Sequence, residues 1–265
     1  MARSFARRLP KLLRPWPLSG VRVVEELTDL GDRARVWRVR ADDADHVAKL
    51  TFDARRYVVP GLRIASVLDR AGIRTGRPVP TSAGALCTGV RLGRWTLALL
   101  EFVPGTPFDW SEPERCGDLL GRVHHVLRSA EDVAPAGRLL DFYQEEADRV
   151  GGQRGAALSD AVAAVRAFDR DTGLTHGVLY GDPAPEVLRS PDDELALIDW
   201  GTPSWGPLLH DLVCWQRFGA AAGEDAAARL LSGYRTRMHL ADAELAAAPL
   251  FRTLHRAIDA VWEAR

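Results

Sequence analysis

Leu174 to Trp215 reads LTHGVLYGDPAPEVLRSPDDELALIDWGTPSWGPLLHDLVCW, and two carboxylates inside it decide how the rest of the chain is read. An apolar run, Val178-Leu179, ends at Tyr180-Gly181-Asp182, after which Pro183 and Pro185 exclude a regular helix or a central strand. Val187-Leu188-Arg189 reads as a short strand, and Ser190-Pro191-Asp192-Asp193 has the chemistry of a turn. Leu195 to Ile198 is then an apolar strand that delivers Asp199-Trp200-Gly201. One carboxylate after an apolar strand and a second delivered by a hairpin can be aimed at one point. Side by side they repel, so both stay ionised only if a cation sits between them or nearby. Magnesium suits that place, because it takes one or two carboxylates together with phosphate oxygens. Taken singly, each aspartate would merely cap a turn; the ordered pair with these flanks points to a site.

The same residues carry a family resemblance. The stretch is similar to the catalytic core of the aminoglycoside phosphotransferase and choline kinase group, small-molecule kinases with a protein-kinase-like fold. That group has His-Gly-Asp, then Pro-x-Asn-x-Leu, then Ile-Asp-Trp. Here the three become Tyr180-Gly181-Asp182, Pro185-Glu186-Val187-Leu188 and Ile198-Asp199-Trp200. The resemblance implies that Asp182 is the catalytic base facing the acceptor hydroxyl. It also implies that Asp199 holds magnesium on the nucleotide phosphates. Two departures stand out. Tyr180 replaces the histidine, while His176-Gly177 leads to Val178 and not to a carboxylate. The metal-binding asparagine is absent, and the chain contains no asparagine at all. Glu186, the oxygen donor of suitable type between Asp182 and the turn, is the expected substitute ligand.

The 265 residues suffice for one large domain or two small ones, and 46% hydrophobic with 27% charged residues is ordinary for a globular chain. A net charge of −1 argues against a nucleic-acid partner. With no apolar run reaching the ~18 residues of a membrane span, no membrane partner is expected. Cys87, Cys116 and Cys214 are far apart and odd in number, which suggests neither a zinc site nor a disulfide framework and favours a reducing, cytoplasmic setting. Of the 35 basic residues only Lys11 and Lys49 are lysine. In so arginine-biased a chain, a retained lysine marks a place where a compact ammonium meets a phosphate oxygen.

Taken in order, residues 1 to 17 hold five bases and no acid and read as a flexible, solvated basic end in preference to a tail that contacts membrane or nucleic acid. Three short strands follow at Val21–Leu27, Val36–Val39 and His46–Phe52, with Lys49 in the third. The first turn, Thr28 to Asp32, has one glycine and is weak as a phosphate loop; the second, Ala41 to Asp45, is an acidic hairpin. By the resemblance, Lys49 holds the nucleotide phosphates. Pro60 to Ala71 reads as a helix in which Val59 takes the place of the kinase glutamate, with Asp53 and Asp69 as alternative partners for the lysine. Leu86–Val90 and Trp95–Phe102 form a hairpin running into Glu101-Phe102-Val103-Pro104-Gly105. This segment is similar to the family's hinge, where backbone groups near Glu101 and Val103 would meet the adenine edge. Helices are predicted at Pro113–Leu127, Leu139–Val150, Ser159–Phe168, Pro207–Phe218, Glu224–Tyr234 and Ala241–Trp262, the last broken at Pro249. Asp211 falls where the family has an aspartate supporting the catalytic loop.

The fold expected is a bilobal, protein-kinase-like α/β (α+β) architecture with nucleotide in the cleft. Residues 1–20 form a tail, 21–105 the nucleotide-binding antiparallel-sheet lobe with its hinge at 101–105, and 106–265 the helical lobe with catalytic loop and acceptor site. The function expected is transfer of the ATP γ-phosphate to a hydroxyl of a small molecule, with ATP and Mg2+ as cofactors. The other reading, a nucleotide-binding pseudokinase with a binding or regulatory role, draws on the altered motif.

Overall fold

A computed structural model describes residues 2–27, 34–91, 94–130 and 133–263. The chain divides into two compact units, residues 1–106 with 190–201, and residues 107–189 with 202–265. The expected turn at Thr28 to Asp32 lies outside the described residues.

The first unit is built on a five-stranded sheet in the order β1-β2-β3-β5-β4, every pairing antiparallel. The strands are β1 (Arg22–Glu26), β2 (Ala34–Ala41), β3 (Ala44–Thr51), β4 (Cys87–Val90) and β5 (Trp95–Glu101). Asp42 and Asp43 both take positive φ in the two-residue turn between β2 and β3, which suits the right-handed twist of the paired strands. Arg38 and Arg40 on β2 clasp Asp45, and these hydrogen bonds hold its carboxyl well below the usual carboxylate range.

Strand alternation gives the sheet two apolar faces. Trp37, Val39, Ala48, Leu50, Leu97 and Leu99 form one, and α1 (Ala2–Leu12) covers it with Leu9, followed by Leu13 and Trp16. The solvated basic end expected from sequence is therefore corrected. Phe5, Leu9, Leu12, Leu13 and Trp16 recur at helical spacing, and burying them outweighs keeping the neighbouring arginines in water, because those arginines point outward. The Trp16 indole N–H also donates to the Val79 carbonyl at 2.7 Å.

On the other face Leu62 of α2 (Arg55–Arg70) meets Cys87 and Ala98. This helix begins at Arg55, five residues before the expected start, and carries Pro60 inside its second turn. A proline this near the N-terminus sacrifices one hydrogen bond without breaking the helix. The unit also contains β9 (Leu195–Ile198), the apolar strand that leads to Asp199.

After the short β6 (Thr106–Pro107), the second unit is mainly helical. Its helices are α3 (Pro113–Arg128), α4 (Leu139–Val150), α5 (Gly152–Thr172), α6 (Leu209–Gly219), α7 (Ala226–Arg235), α8 (Asp242–Leu245) and α9 (Ala248–Trp262). Helix α5 starts seven residues before the expected Ser159, and Gly173 ends it in the left-handed conformation. Pro249 falls in the first turn of α9, where its missing N–H costs nothing. The unit's strands are β7 (His176–Leu179), β8 (Glu186–Arg189) and β10 (Ser204–Pro207), and β7 pairs antiparallel with β10 so that Leu179 lies opposite Ser204. Among the described residues no helix is long and apolar enough to cross a membrane.

Candidate functional site

Lys49 lies opposite Val36 of β2 and Ala98 of β5, in the middle of the sheet. Its neighbours Ala48 and Leu50 are fully buried toward α1, so alternation sends Lys49 to the opposite face. There its Nζ forms an ion pair with Asp199 Oδ1. The lysine side chain is 18% exposed and the aspartate 40%, so the pair is reachable from solvent through its acidic partner.

Asp199 has φ of +61°, a left-handed conformation that costs a residue with a Cβ on the order of 1 kcal/mol. Gly201 keeps the space in front of it clear: a Cβ there would lie 3.1 Å from Asp199 Oδ1 and 3.8 Å from Lys49 Nζ. The lysine finds no glutamate in α2, whose first turn holds no acid. Val59 packs into the apolar face with Val58, Leu86 and Leu100. Of the two alternatives read from sequence, Asp69 sits 3.8 Å from Arg77.

The Asp199 carboxylate already faces the Lys49 ammonium, so a metal ion there would have to share or displace that partner. Among the described residues no three acids, histidines or cysteines gather to cage a metal. That suits magnesium, which commonly takes one or two carboxylates and fills its remaining positions with phosphate oxygens and water.

At the edge of the same unit, Glu101 donates its backbone N–H to the Arg77 carbonyl at 2.8 Å, and its side chain pairs with Arg77. Gly76, with φ of +70°, allows this approach: a Cβ there would be 3.2 Å from the Glu101 carbonyl oxygen. The backbone N–H of Val103 makes no hydrogen bond among the described residues.

In the second unit the loop from Tyr180 to Glu186 is held from several directions. Asp211 of α6 is 1% exposed and accepts the backbone N–H groups of Tyr180 at 2.7 Å and Gly181 at 3.2 Å. His124 of α3 and His210 also bond to it, each at 3.2 Å, and His124 reaches Tyr234 of α7 at 2.9 Å. Burial alone would raise the Asp211 carboxyl, but the hydrogen bonds from the two histidines prevail and hold it below the usual range.

Gly181 has φ of +75°, and a Cβ there would fall 2.6 Å from the Thr202 carbonyl oxygen. Glycine is thus required at this turn both by conformation and by space. Tyr180 is buried, and its hydroxyl accepts the Glu186 N–H at 3.3 Å, bridging the loop from start to end. The Cys214 thiol donates to the Pro183 carbonyl at 3.3 Å, and burial pushes its pKa far up, so it serves as an inert support.

Asp182 is half-buried at the tip of this loop. Its Oδ1 accepts the Ala184 N–H at 2.8 Å and its Oδ2 faces the Thr202 hydroxyl at 3.5 Å. Glu186 is exposed at the start of β8. Lys49 and Asp199 are thus brought together within the first unit, while Asp182 and Glu186 belong to the second. Sequence reasoning missed His124, Tyr234 and Cys214. His124 shares the apolar stripe of α3 with Leu120, Val123 and Leu127, which is the signal of a histidine turned inward.

The model of the phosphotransferase enzyme family matches residues 26–250. A search of curated proteins finds no match. Among solved structures the chain resembles an amicoumacin kinase, hAmiN, in complex with AMP-PNP, Ca2+ and Ami, with a TM-score of 0.79 at 15% identity over 99% of this chain and 88% of that one. A microcompartment-associated aminopropanol kinase gives 0.72 at 14% identity, covering 99% and 89%. The choline kinase LicA from Streptococcus pneumoniae gives 0.68 at 14% identity, covering 99% and 90%. At such identities these likenesses establish a shared fold, the protein-kinase-like one expected from sequence.

Proposed function

The chain belongs to the phosphotransferase enzyme family, and we propose that it transfers the γ-phosphate of ATP to a hydroxyl group of a small molecule. The observation that carries this reading is the Lys49–Asp199 ion pair. A lysine scarce in its own chain meets a carboxylate held in a strained conformation, and no structural need of the sheet calls for that pairing.

Each residue then has a role that its surroundings allow. Lys49 gives its ammonium to phosphate oxygens, and the exposed side of Asp199 offers oxygen to magnesium, with Glu186 in place of the absent asparagine. Bound magnesium would neutralise charge on the phosphates. Asp182 accepts the proton of the attacking hydroxyl and orients it, its carboxylate fixed by the Ala184 N–H. The Val103 N–H, and the backbone near Glu101, face the adenine edge. Asp211 holds the Asp182 loop without touching substrate. Most of the rate enhancement comes from positioning and charge neutralisation. The relatives whose structures hold AMP-PNP, ADP or AMP support a nucleotide donor.

Calorimetry of ATP binding with and without magnesium tests this, using the wild type, Asp199→Ala and Glu186→Ala, followed by an acceptor screen with Asp182→Asn as control. Magnesium-dependent binding weakened by both substitutions, and turnover lost in Asp182→Asn, is the expected result. Binding indifferent to magnesium, with no turnover on any acceptor, would make the chain a nucleotide-binding pseudokinase.

A further inference from the structure

Helix α1 is two-sided, and only one side is used by the fold. Phe5, Leu9, Leu12, Leu13 and Trp16 lie against the sheet, while Arg7, Arg8, Lys11 and Arg14 are exposed along the other side. None of these four has an ion-pair or hydrogen-bond partner for its side chain among the described residues. Asp42, the acid that reaches this segment, accepts the Ser19 N–H instead.

A second element adds a cation beside the stripe. Arg91, in the turn after β4, is exposed and lies 5.6 Å from the centroid of the Phe5 ring and 4.0 Å from that of Trp95. Residues 1–17 hold five bases and no acid within a chain of net charge −1, leaving −6 for the remainder. Positive charge is therefore concentrated in this segment of the sequence.

We propose that the exposed face of α1, with Arg7, Arg8, Lys11, Arg14 and Arg91, is an electrostatic docking surface for anionic phospholipid headgroups. The sequence alone pointed to no membrane partner, because it holds no spanning segment; a surface that rests on headgroups needs none. Arg7, Arg8 and Lys11 lie along one helix of 11 residues, about 16 Å long, and Arg14 follows in the turn after it. A planar anionic surface can meet that face through its headgroups. A nucleic acid would call for stacking or base-reading groups, and the exposed large apolar side chains, Val24, Leu27, Tyr57, Phe142 and Trp205, are all outside α1.

The apolar stripe is occupied by the sheet, so attachment works through charge and not insertion. Each basic residue at an anionic surface strengthens partition by roughly fivefold, which makes the attachment reversible and salt-sensitive. The proposal stands apart from the phosphotransfer reading, and neither depends on the other.

Co-sedimentation of the full chain with vesicles tests it, using phosphatidylcholine alone and phosphatidylcholine mixed with phosphatidylglycerol, at low and high salt. Arg7→Gln, Arg8→Gln, Lys11→Gln and Arg14→Gln are compared singly and together, with Arg256→Gln on α9 as control. We expect binding to the anionic vesicles alone, lost at high salt, weakened roughly fivefold by each α1 substitution and unchanged in the control. The exposed side chains contribute little to folding, and if the fourfold variant fails to fold the single variants decide. Equal binding to both vesicles, no binding, or binding that survives the α1 substitutions would overturn the proposal. So would an RNA oligonucleotide that binds the α1 face more tightly than the anionic vesicles do.

Discussion

Lys49 of β3 and Asp199, 150 residues apart in the chain, meet in an ion pair on the α2 face of the five-stranded sheet. In a protein kinase the equivalent lysine is paired by a helix glutamate and the aspartate holds metal. Here α2 supplies no acid in its first turn, so lysine and aspartate satisfy each other. On the proposed reading, nucleotide and metal would separate them, exchanging one compact ion pair for contacts to phosphate.

The pair should therefore matter to chemistry much more than to folding. Asp199→Asn retains a side chain that tolerates positive φ and can still accept from Lys49, and a pair whose acidic partner is 40% exposed is worth about 1 kcal/mol. We expect its melting temperature to stay within a few degrees of wild type. Turnover should fall on the order of a hundredfold to a thousandfold, as when one charge-stabilising group is removed from a transition state. Lys49→Arg should be nearly as damaging, because the planar guanidinium does not replace a point charge at this depth. Thermal melts beside steady-state kinetics check both statements.

Tyr180→Phe isolates the brace across the loop. The change removes the acceptor for the Glu186 N–H while keeping the buried ring. A net loss of about 1 kcal/mol in stability is expected, the usual worth of one hydrogen bond. A looser Asp182 should lower kcat by about tenfold, equivalent to 1.4 kcal/mol in the barrier. The dissociation constant for ATP measured without magnesium should not move, since the brace reaches Glu186, assigned to the metal, and no group assigned to the nucleotide. If ATP affinity changed as much as kcat, the brace would not be local to Asp182.

Gly181 and Lys49 could be singled out from residues because their signals are local. Gly181 must be glycine, and the turn between Tyr180 and Asp182 states this directly. Lys49 was marked by its rarity. What could not be read depends on surfaces remote in sequence. The Phe5-Leu9-Leu13-Trp16 stripe was present, yet only the sheet face of Trp37, Val39 and Leu97 turns it from a solvated end into core. His124 owes its place to Asp211 and Tyr234, 87 and 110 residues away, which no local pattern shows.

Acid should act through His255 before it reaches the carboxylates. Its ring sits 4.7 Å from that of His210 at a near right angle, and neither of its nitrogens has a partner among the described residues. Desolvation, with smaller effects of His210 and Arg217, pushes its pKa down to about 2 against a slight opposing pull from Asp211. The unfolded chain takes up that proton near pH 6.5, the folded one does not, so protons favour unfolding. Stability is unaffected by this group above about pH 6.5 and falls by up to roughly 1.4 kcal/mol per pH unit below it. Asp211, also depressed, adds its own loss only below the ordinary aspartate range near pH 4. His255→Leu should flatten the fall in urea-unfolding free energy between about pH 4.5 and 6.5. An unchanged slope would show that His255 ionises without strain in the folded chain.

The tightest steric demand lies where α3 crosses α7, and it can be tested without any ligand. A Cβ on Gly117 would lie 1.9 Å from the Leu230 carbonyl oxygen, and one on Gly233 would lie 2.0 Å from that of Glu114. Real side chains do not come so close to backbone, so either substitution must force the helices apart. Gly121, one turn along, is less confined, with 2.8 Å to the Tyr234 carbonyl. Separation would also pull Tyr234 away from His124 and disturb the support of Asp211. Overpacking of this kind costs roughly 1–3 kcal/mol, and more where backbone is the obstacle. Alanine would ordinarily stabilise a helix relative to glycine by up to about 1 kcal/mol, so a net loss would show that packing outweighs propensity. We expect Gly117→Ala and Gly233→Ala each to lower the urea midpoint clearly, Gly121→Ala to do so by less, and the double variant Gly117→Ala/Gly233→Ala to fall short of the sum, because once the helices have parted for one methyl group the second has room.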